Sequence, residues 1–96
     1  MKMVMIIYNE ALDNEVMEIL EGADIKGYTK VSKAFGRGEK SGTHLGTDIW
    51  PGLNNILYVA CADPQAKELI AGVKEMRSKV GHEGVKAFVL SLEEES

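Results

Sequence analysis

The sequence predicts an α+β fold in which two helices cover one face of a four-stranded antiparallel sheet. Three observations support this prediction: four short runs rich in β-branched and aromatic residues, two longer stretches with apolar residues at helical spacing, and the order strand–helix–strand–strand–helix–strand. That order is typical of the split βαβ, or ferredoxin-like, arrangement. Because the chain has 96 residues and no repeat or linker, we expect one domain over residues 1–96.

The first half of the chain has the pattern of a strand, a helix and a second strand. Residues 1–8 are a short apolar run without helical caps, which favours a buried strand. Asn9 can cap a helix that ends at Gly22, and four apolar residues repeat at helical spacing between them: Leu12, Val16, Ile19 and Leu20. From Ile25 to Phe35, apolar and polar residues alternate with the period of a half-buried strand.

The second half has the pattern of a strand, a helix and a last strand. Residues 56–62 are apolar on both faces, which predicts a buried strand. Asp63 followed by proline is typical of a helix start, and Gly81 lies where the C-terminal cap belongs. Residues 85–92 predict the last strand, and an acidic tail over residues 93–96 follows it.

A long glycine-rich loop, Phe35 to Asn55, separates the two halves and indicates where function lies. It contains five of the ten glycines and the only Trp, and Asn54-Asn55 at its end is expected to form a turn only. Structureless connections beyond about 12–15 residues are uncommon and are usually functional. Binding groups also lie disproportionately on loops that a rigid frame presents. We therefore expect the binding site to involve this loop.

The charge distribution excludes some partners and favours others. The net charge is −4, but residues 26–40 carry +4 and the rest of the chain carries −8. An acidic protein with six aromatic residues is poorly suited to nucleic acid, whereas a local basic strip suits a small anion or an acidic patch on a partner protein. Solvated lysines on a strand are an equally simple interpretation of that strip.

Apolar residues on both faces of three strands predict an oligomer. Two helices can cover only one face of the sheet, so the other face would be an apolar patch of the kind that marks an interaction site. We expect a homotrimer with the sheets packed inward, with a dimer as the alternative.

Two short motifs resemble the nitrogen-regulatory PII signalling proteins. Phe35-Gly36-Arg37, at the end of the second strand, resembles the Gly-Phe-Gly-Arg signature that opens the family's long loop. Residues 80–89, with Gly84 and Lys86, are similar to the phosphate loop that leads into the family's last strand. Ala34 stands where the family has the first glycine of the signature, and Glu83-Gly84-Val85-Lys86 replaces its Gly-Asp-Gly-Lys run.

The resemblance implies a ferredoxin-like trimer that binds ATP or ADP in clefts between subunits and regulates partner proteins through its long loop. It places seven residues at the effector site: Phe35, Gly36, Arg37, Gly38, Lys40, Gly84 and Lys86. Glycines let backbone N–H groups approach phosphate oxygens, and Arg or Lys supplies the opposite charge. The effector is therefore expected to be ATP, ADP or another small anion, and the 36–52 loop to control a partner transporter or enzyme.

His44 and His82 suggest an alternative function. Imidazole suits divalent transition metals, and the CutA-type proteins, which share this trimeric fold, are associated with divalent-cation tolerance. The alternative is thus a divalent-metal-binding protein linked to metal tolerance or efflux. Two isolated histidines without a recognised ligand spacing are more often solvated.

Catalysis and membrane insertion are not expected. Ser41, Thr43, His44 and Asp48 are residue types used in nucleophilic catalysis, but no triad or nucleophile elbow is recognisable around them. No run approaches the roughly 18 apolar residues of a membrane span. A single cysteine, Cys61, fits a reducing compartment and a buried position. We expect a cytoplasmic regulatory protein, not an enzyme.

Overall fold

The structure is a computed structural model that describes residues 1–36, 53–81 and 84–96. Its four strands are β1 (Lys2–Asn9), β2 (Thr29–Phe35), β3 (Leu53–Cys61) and β4 (Val85–Ser91). Its helices are α1 (Asp13–Gly22), preceded by a 3₁₀ turn over Glu10–Leu12, and α2 (Asp63–Val80). The strands form one antiparallel sheet in the order β2-β3-β1-β4, which confirms the predicted ferredoxin-like fold.

The hydrophobic core lies between the helices and one face of the sheet. Alternate residues of β1 and β3 are fully buried against the apolar stripes of α1 and α2. The buried strand residues include Val4, Ile6, Leu57 and Val59, and the helix residues that cover them include Val16, Leu20, Leu69 and Val73. The strand period of two therefore directs one set of side chains inward and the next set to the opposite face. Cys61 is buried at the edge of this core, as predicted, and burial raises the pKa of its thiol.

The predicted helix ends are confirmed, with small shifts. The Asn9 side chain accepts a hydrogen bond from the Ala11 N–H at 2.9 Å and caps the 3₁₀ turn before α1. The second helix begins at Asp63 itself, so Ala62 is its N-cap, and the Ala62 N–H donates to Gln65 Oε1. Gly81 ends α2 with a φ of 102°, a conformation that side chains disfavour.

Two predicted strand boundaries are wrong. The second strand begins at Thr29, because Ile25 packs against the core before the sheet starts. The third strand begins at Leu53, so Asn54-Asn55 is part of the sheet and not a turn. Asn55 has a buried side chain with hydrogen-bond partners in the core, which compensates for its low strand propensity. Residues 53–55 therefore belong to the third strand and not to the predicted loop. Residues 37–52 lie outside the described part of the chain.

In the described part of the chain, the helices leave the second face of the sheet uncovered. Ladder partners place nine apolar side chains on this face: Met3, Met5, Ile7, Val31, Ile56, Tyr58, Ala60, Phe88 and Leu90. Phe88 is 40% exposed and Leu90 is 50% exposed. This set, which we call the uncovered face, is the apolar patch that the sequence predicts.

Candidate functional site

Strand pairing brings the two glycine motifs to the same end of the sheet. Phe35 pairs with Leu53 at the end of β2, and Tyr8 pairs with Val85 at the start of β4. Gly36 and Gly84 thus lie at the same end of the sheet but on its two opposite edges. Three inter-strand spacings separate the outer strands, which amounts to about 14 Å. A single chain therefore presents the two halves of the predicted site side by side but not in contact.

Both glycines lie where a side chain would meet a neighbour. A Cβ on Gly84 would lie 3.1 Å from Leu12 Cδ1, and a Cβ on Gly36 would lie 3.3 Å from Asn54 Nδ2. The Gly84 carbonyl also accepts a hydrogen bond from the Asn9 N–H at 2.9 Å. Close packing thus disfavours a side chain at both positions, and Gly36 is exposed whereas Gly84 is half-buried.

Lys86 is the predicted cation that the structure describes. Its Cα partner in the ladder is Ile7 on the uncovered face, and its Nζ lies 5.5 Å from the centre of the Phe88 ring. Lys86 also lines a small cavity of about 170 Å³ together with Lys74 and Arg77. No acidic residue lines that cavity among the described residues, but its other lining residues lie on the helix side of the sheet, whereas the Lys86 ammonium lies beside Phe88 on the uncovered face.

Arg77 was not identified from the sequence as a site residue. Its Nη1 donates to the Val85 carbonyl at 2.6 Å, which holds the guanidinium beside the first residues of β4. The apolar stripe of α2 gave no sign of this, because the side chain bridges from the helix to the strand. Its position relative to Lys86 depends on how α2 packs along the edge of the sheet.

A second unpredicted feature is a polar cluster on the helix side of the same sheet end. Asp13 Oδ1 accepts hydrogen bonds from Tyr8 Oη at 2.5 Å, from Lys30 Nζ at 2.8 Å and from Asn55 Nδ2 at 3.4 Å. Asn55 Nδ2 also lies 3.4 Å from Tyr8 Oη. We call these four residues the Asp13 cluster. Tyr8 and Asn55 lie where the apolar runs of β1 and β3 become polar, whereas no local pattern marks Lys30 or Asp13.

The charges of the Asp13 cluster stabilise one another. The hydrogen bond from Lys30, followed by that from Tyr8, lowers the pKa of the Asp13 carboxyl. Burial, followed by the bond to Asp13, strongly raises the pKa of the Tyr8 hydroxyl. Asp13 is therefore ionised and Tyr8 neutral at physiological pH, which is the combination that the observed hydrogen bonds require.

The remaining predicted residues are outside the described part of the chain. Arg37, Gly38, Lys40 and His44 fall within residues 37–52, and His82 falls within 82–83. The metal site at His44 and His82 thus stays a prediction. Among residues 1–36, 53–81 and 84–96, no three His, Cys, Asp or Glu side chains cluster, and no helix is both long and apolar enough to cross a membrane.

Solved structures of the same fold are PII-like proteins. CPII from Thiomonas intermedia K12, bound to ADP, AMP and acetate, is 20% identical with a TM-score of 0.71, and the match covers 93% of this chain and 82% of that one. CPII bound to ADP, AMP and bicarbonate is 21% identical with a TM-score of 0.69, covering 93% and 88%. A PII-like signaling protein from Thermus thermophilus is 24% identical with a TM-score of 0.64, covering 92% and 82%.

The sequence itself matches a family model along almost its whole length. A search of curated proteins gives no significant match. The model of the nitrogen regulatory protein P-II family, in contrast, matches residues 1–95. The match includes both glycine motifs and all four strands. The chain therefore belongs to the nitrogen regulatory protein P-II family.

Proposed function

We propose that this protein is a cytoplasmic PII-like regulator that binds an adenine nucleotide or another small anion and controls a partner protein, such as a membrane transporter. The observation that carries the proposal is that Gly36, Gly84 and Lys86 lie at the same end of the sheet. Glycine backbone and a cation are the groups that phosphate or carboxylate oxygens require. Arg77, which donates a hydrogen bond to the Val85 carbonyl, provides a second positive charge near the start of β4.

The structural relatives support the choice of ligand class. CPII structures hold ADP and AMP together with acetate or bicarbonate. A nucleotide and a small carboxylate-like anion are both compatible with two cations beside accessible glycine backbone. We infer that ADP or AMP is the first ligand to test, with bicarbonate as the second.

The separation of the two half-sites supports a site between subunits. The motifs lie on β2 and β4, which are opposite edges of the sheet. Because these edges differ, an edge-to-edge contact between copies is heterologous, and such a contact forms a ring where the rotation between copies closes. A ring of three with the uncovered faces inward buries the apolar patch and supplies a second wall to each cleft. The homotrimer predicted from the sequence is therefore part of the proposal.

Binding energetics test the role of Lys86. Replacing Lys86 with Ala removes a charge-assisted contact of about 1.5–3 kcal/mol, so we expect ADP affinity to fall by about tenfold or more. Isothermal titration calorimetry on the purified protein measures this affinity. The matched control is Lys79→Ala, because Lys79 is an exposed lysine of α2 that pairs with Glu75.

Four outcomes distinguish the possibilities. If Lys86→Ala weakens ADP binding and Lys79→Ala does not, the site lies at the start of β4. Equal effects of the two variants would show that the affinity for ADP depends only on the net charge of the protein. Saturable binding of bicarbonate without ADP would identify the ligand as the smaller anion. No saturable binding of either would contradict the proposed ligand class.

A further inference from the structure

The Asp13 cluster ties one helix to three strands through a single oxygen atom. Asp13 is the first residue of α1, and its Oδ1 accepts from Tyr8 of β1, Lys30 of β2 and Asn55 of β3. A carboxylate at a helix N-terminus is also favoured by the helix dipole. The geometry thus makes Asp13 a polar junction between elements that otherwise meet through backbone pairing and the apolar core.

Burial makes the junction difficult to replace. Tyr8 is 1% exposed and Asn55 is 7% exposed, so neither can exchange its partner for bulk water. Removing the carboxylate charge leaves the Lys30 ammonium without its counter-ion at the edge of the core. A buried polar group that loses its acceptor is costly, and the strands that carry such groups are expected to shift or fluctuate.

The junction lies next to the place where strand pairing is weakest. The β2–β3 ladder is irregular between Val31 and Ala34, and Lys33 within that bulge has a φ of 59°, which is uncommon for a residue with a side chain. Only two Cα pairs, Ala34–Asn54 and Phe35–Leu53, follow the bulge. Lys30 lies just before the bulge and Asn55 lies opposite it on β3, and both donate hydrogen bonds to Asp13.

The same turn contacts the other half of the candidate site. Leu12, next to Asp13, is the residue that a Cβ on Gly84 would meet at 3.1 Å. The Asn9 N–H donates to the Gly84 carbonyl. Residues 9–13 therefore contact the β2–β3 end through Asp13 and the start of β4 through Leu12 and Asn9.

We infer that Asp13 is a positioning residue that holds the ends of β2 and β3 in register with the start of β4 before a ligand binds. The positioning role stands without the proposed function, and only the expected effect on ligand affinity rests on it. Groups that are already ordered lose less entropy on binding, so affinity increases without direct contact with the ligand. Asp13 then affects ligand affinity from the opposite face of the sheet.

Hydrogen–deuterium exchange of the whole protein without ligand tests the positioning role. The test variant is Asp13→Asn, which keeps the shape and removes the charge. The matched control is Asp24→Asn, because Asp24 pairs with Lys26 at 3.1 Å on the surface and its φ of 59° suits asparagine. We expect amides at residues 30–35 and 53–56 to exchange at least tenfold faster in Asp13→Asn, with α2 unchanged, and no change in Asp24→Asn.

A globally destabilised variant separates positioning from general stability. Gly72→Ala disturbs the contact between the helices and does not touch the Asp13 cluster. If exchange at residues 30–35 and 53–56 increases equally in Gly72→Ala and Asp13→Asn, Asp13 has only a structural role. Equal exchange in Asp13→Asn and wild type would also overturn the inference.

Calorimetry with ADP tests the consequence for binding. We expect Asp13→Asn to weaken ADP affinity about five- to tenfold at unchanged stoichiometry, and Asp24→Asn to match wild type. Unchanged affinity in Asp13→Asn would overturn the link between positioning and binding. If the wild-type protein does not bind ADP, the proposed ligand fails, and the exchange measurement alone decides whether Asp13 holds the strand ends.

Discussion

At the scale of single residues, the candidate site combines groups that the sequence identified with groups that it could not. Phe35, Gly36, Gly84 and Lys86 were identified from short motifs, and the structure places them at one end of the sheet. Asp13 was not identified, because one acidic residue at a helix start is common. Its importance follows from three hydrogen bonds to residues 5, 17 and 42 positions away in the sequence. Such long-range convergence leaves no local pattern to recognise.

The lowered pKa of the Asp13 carboxyl predicts a contribution to acid sensitivity. A carboxyl group whose pKa is lower in the folded state than in the unfolded state stabilises the fold above the unfolded pKa of about 3.9. That contribution is lost as the pH falls through the lower, folded-state pKa. Urea denaturation at pH 7 and below pH 4 measures the free energy of unfolding. We expect wild type to lose more of it on acidification than Asp13→Asn does.

The contribution of Asp63 provides a comparison for that experiment. The N-terminal ammonium lowers the pKa of the Asp63 carboxyl, to which it is bonded at 3.1 Å. Asp63 is solvent-exposed, and exposed ion pairs contribute little to stability. Asp63→Asn should therefore retain most of the acid sensitivity of wild type. If the two variants lost acid sensitivity equally, the Asp13 cluster would have no special role in it.

At the scale of elements, periodicity predicted each helix and strand but not all their ends. The bounds were accurate where a glycine ends a helix, as at Gly22 and Gly81, whereas Asn9 caps a 3₁₀ turn and α1 begins only at Asp13. They failed at Asn54-Asn55, where a tertiary hydrogen bond outweighs the turn preference of asparagine. The predicted half-buried pattern of the second strand also began too early, because Ile25 packs against the core before the sheet begins.

The contact between the two helices depends on a glycine. A Cβ on Gly72 of α2 would lie 2.7 Å from Ile19 Cγ2 of α1, closer than side-chain contacts allow. We expect Gly72→Ala to reduce the free energy of unfolding by about 1–3 kcal/mol, as overpacking does. Gly22→Ala is the control, since nothing lies within 4 Å of its Cβ position, and helix propensity should leave it unchanged or stabilise it by up to about 1 kcal/mol.

Urea denaturation of both glycine variants distinguishes packing from helix propensity. Alanine favours the helix over glycine by up to about 1 kcal/mol, so propensity alone would stabilise the Gly72→Ala variant. A stabilised Gly72→Ala protein would show that α1 and α2 can separate without cost.

At the scale of the whole molecule, the distribution of apolar surface determines the expected assembly. The helices cover one face of the sheet, and the uncovered face retains aromatic and aliphatic side chains in the described structure. The sequence predicted this patch because three strands are apolar on both faces. It could not supply the arrangement of copies, because that depends on the shape of the edges and not on composition.

Adjacent residues of β4 provide a matched pair for testing the interface. Leu90 lies on the uncovered face and is 50% exposed, whereas Val89 faces the helix side and is 42% exposed. If the uncovered faces pack together, Leu90→Asp places a charge inside the assembly and should dissociate it. Val89→Asp introduces the same charge at similar exposure and should leave the assembly intact.

Native mass spectrometry with ADP tests the proposed assembly and its ligand in one measurement. We expect wild type and Val89→Asp to have the mass of three chains, and wild type to take up as many as three ADP molecules. Leu90→Asp should appear as single chains with little ADP bound. Two results would contradict a ligand site formed between three inward-facing sheets. One is a wild-type protein that is monomeric or dimeric. The other is a wild-type trimer that takes up no ADP, together with a Leu90→Asp variant that remains assembled.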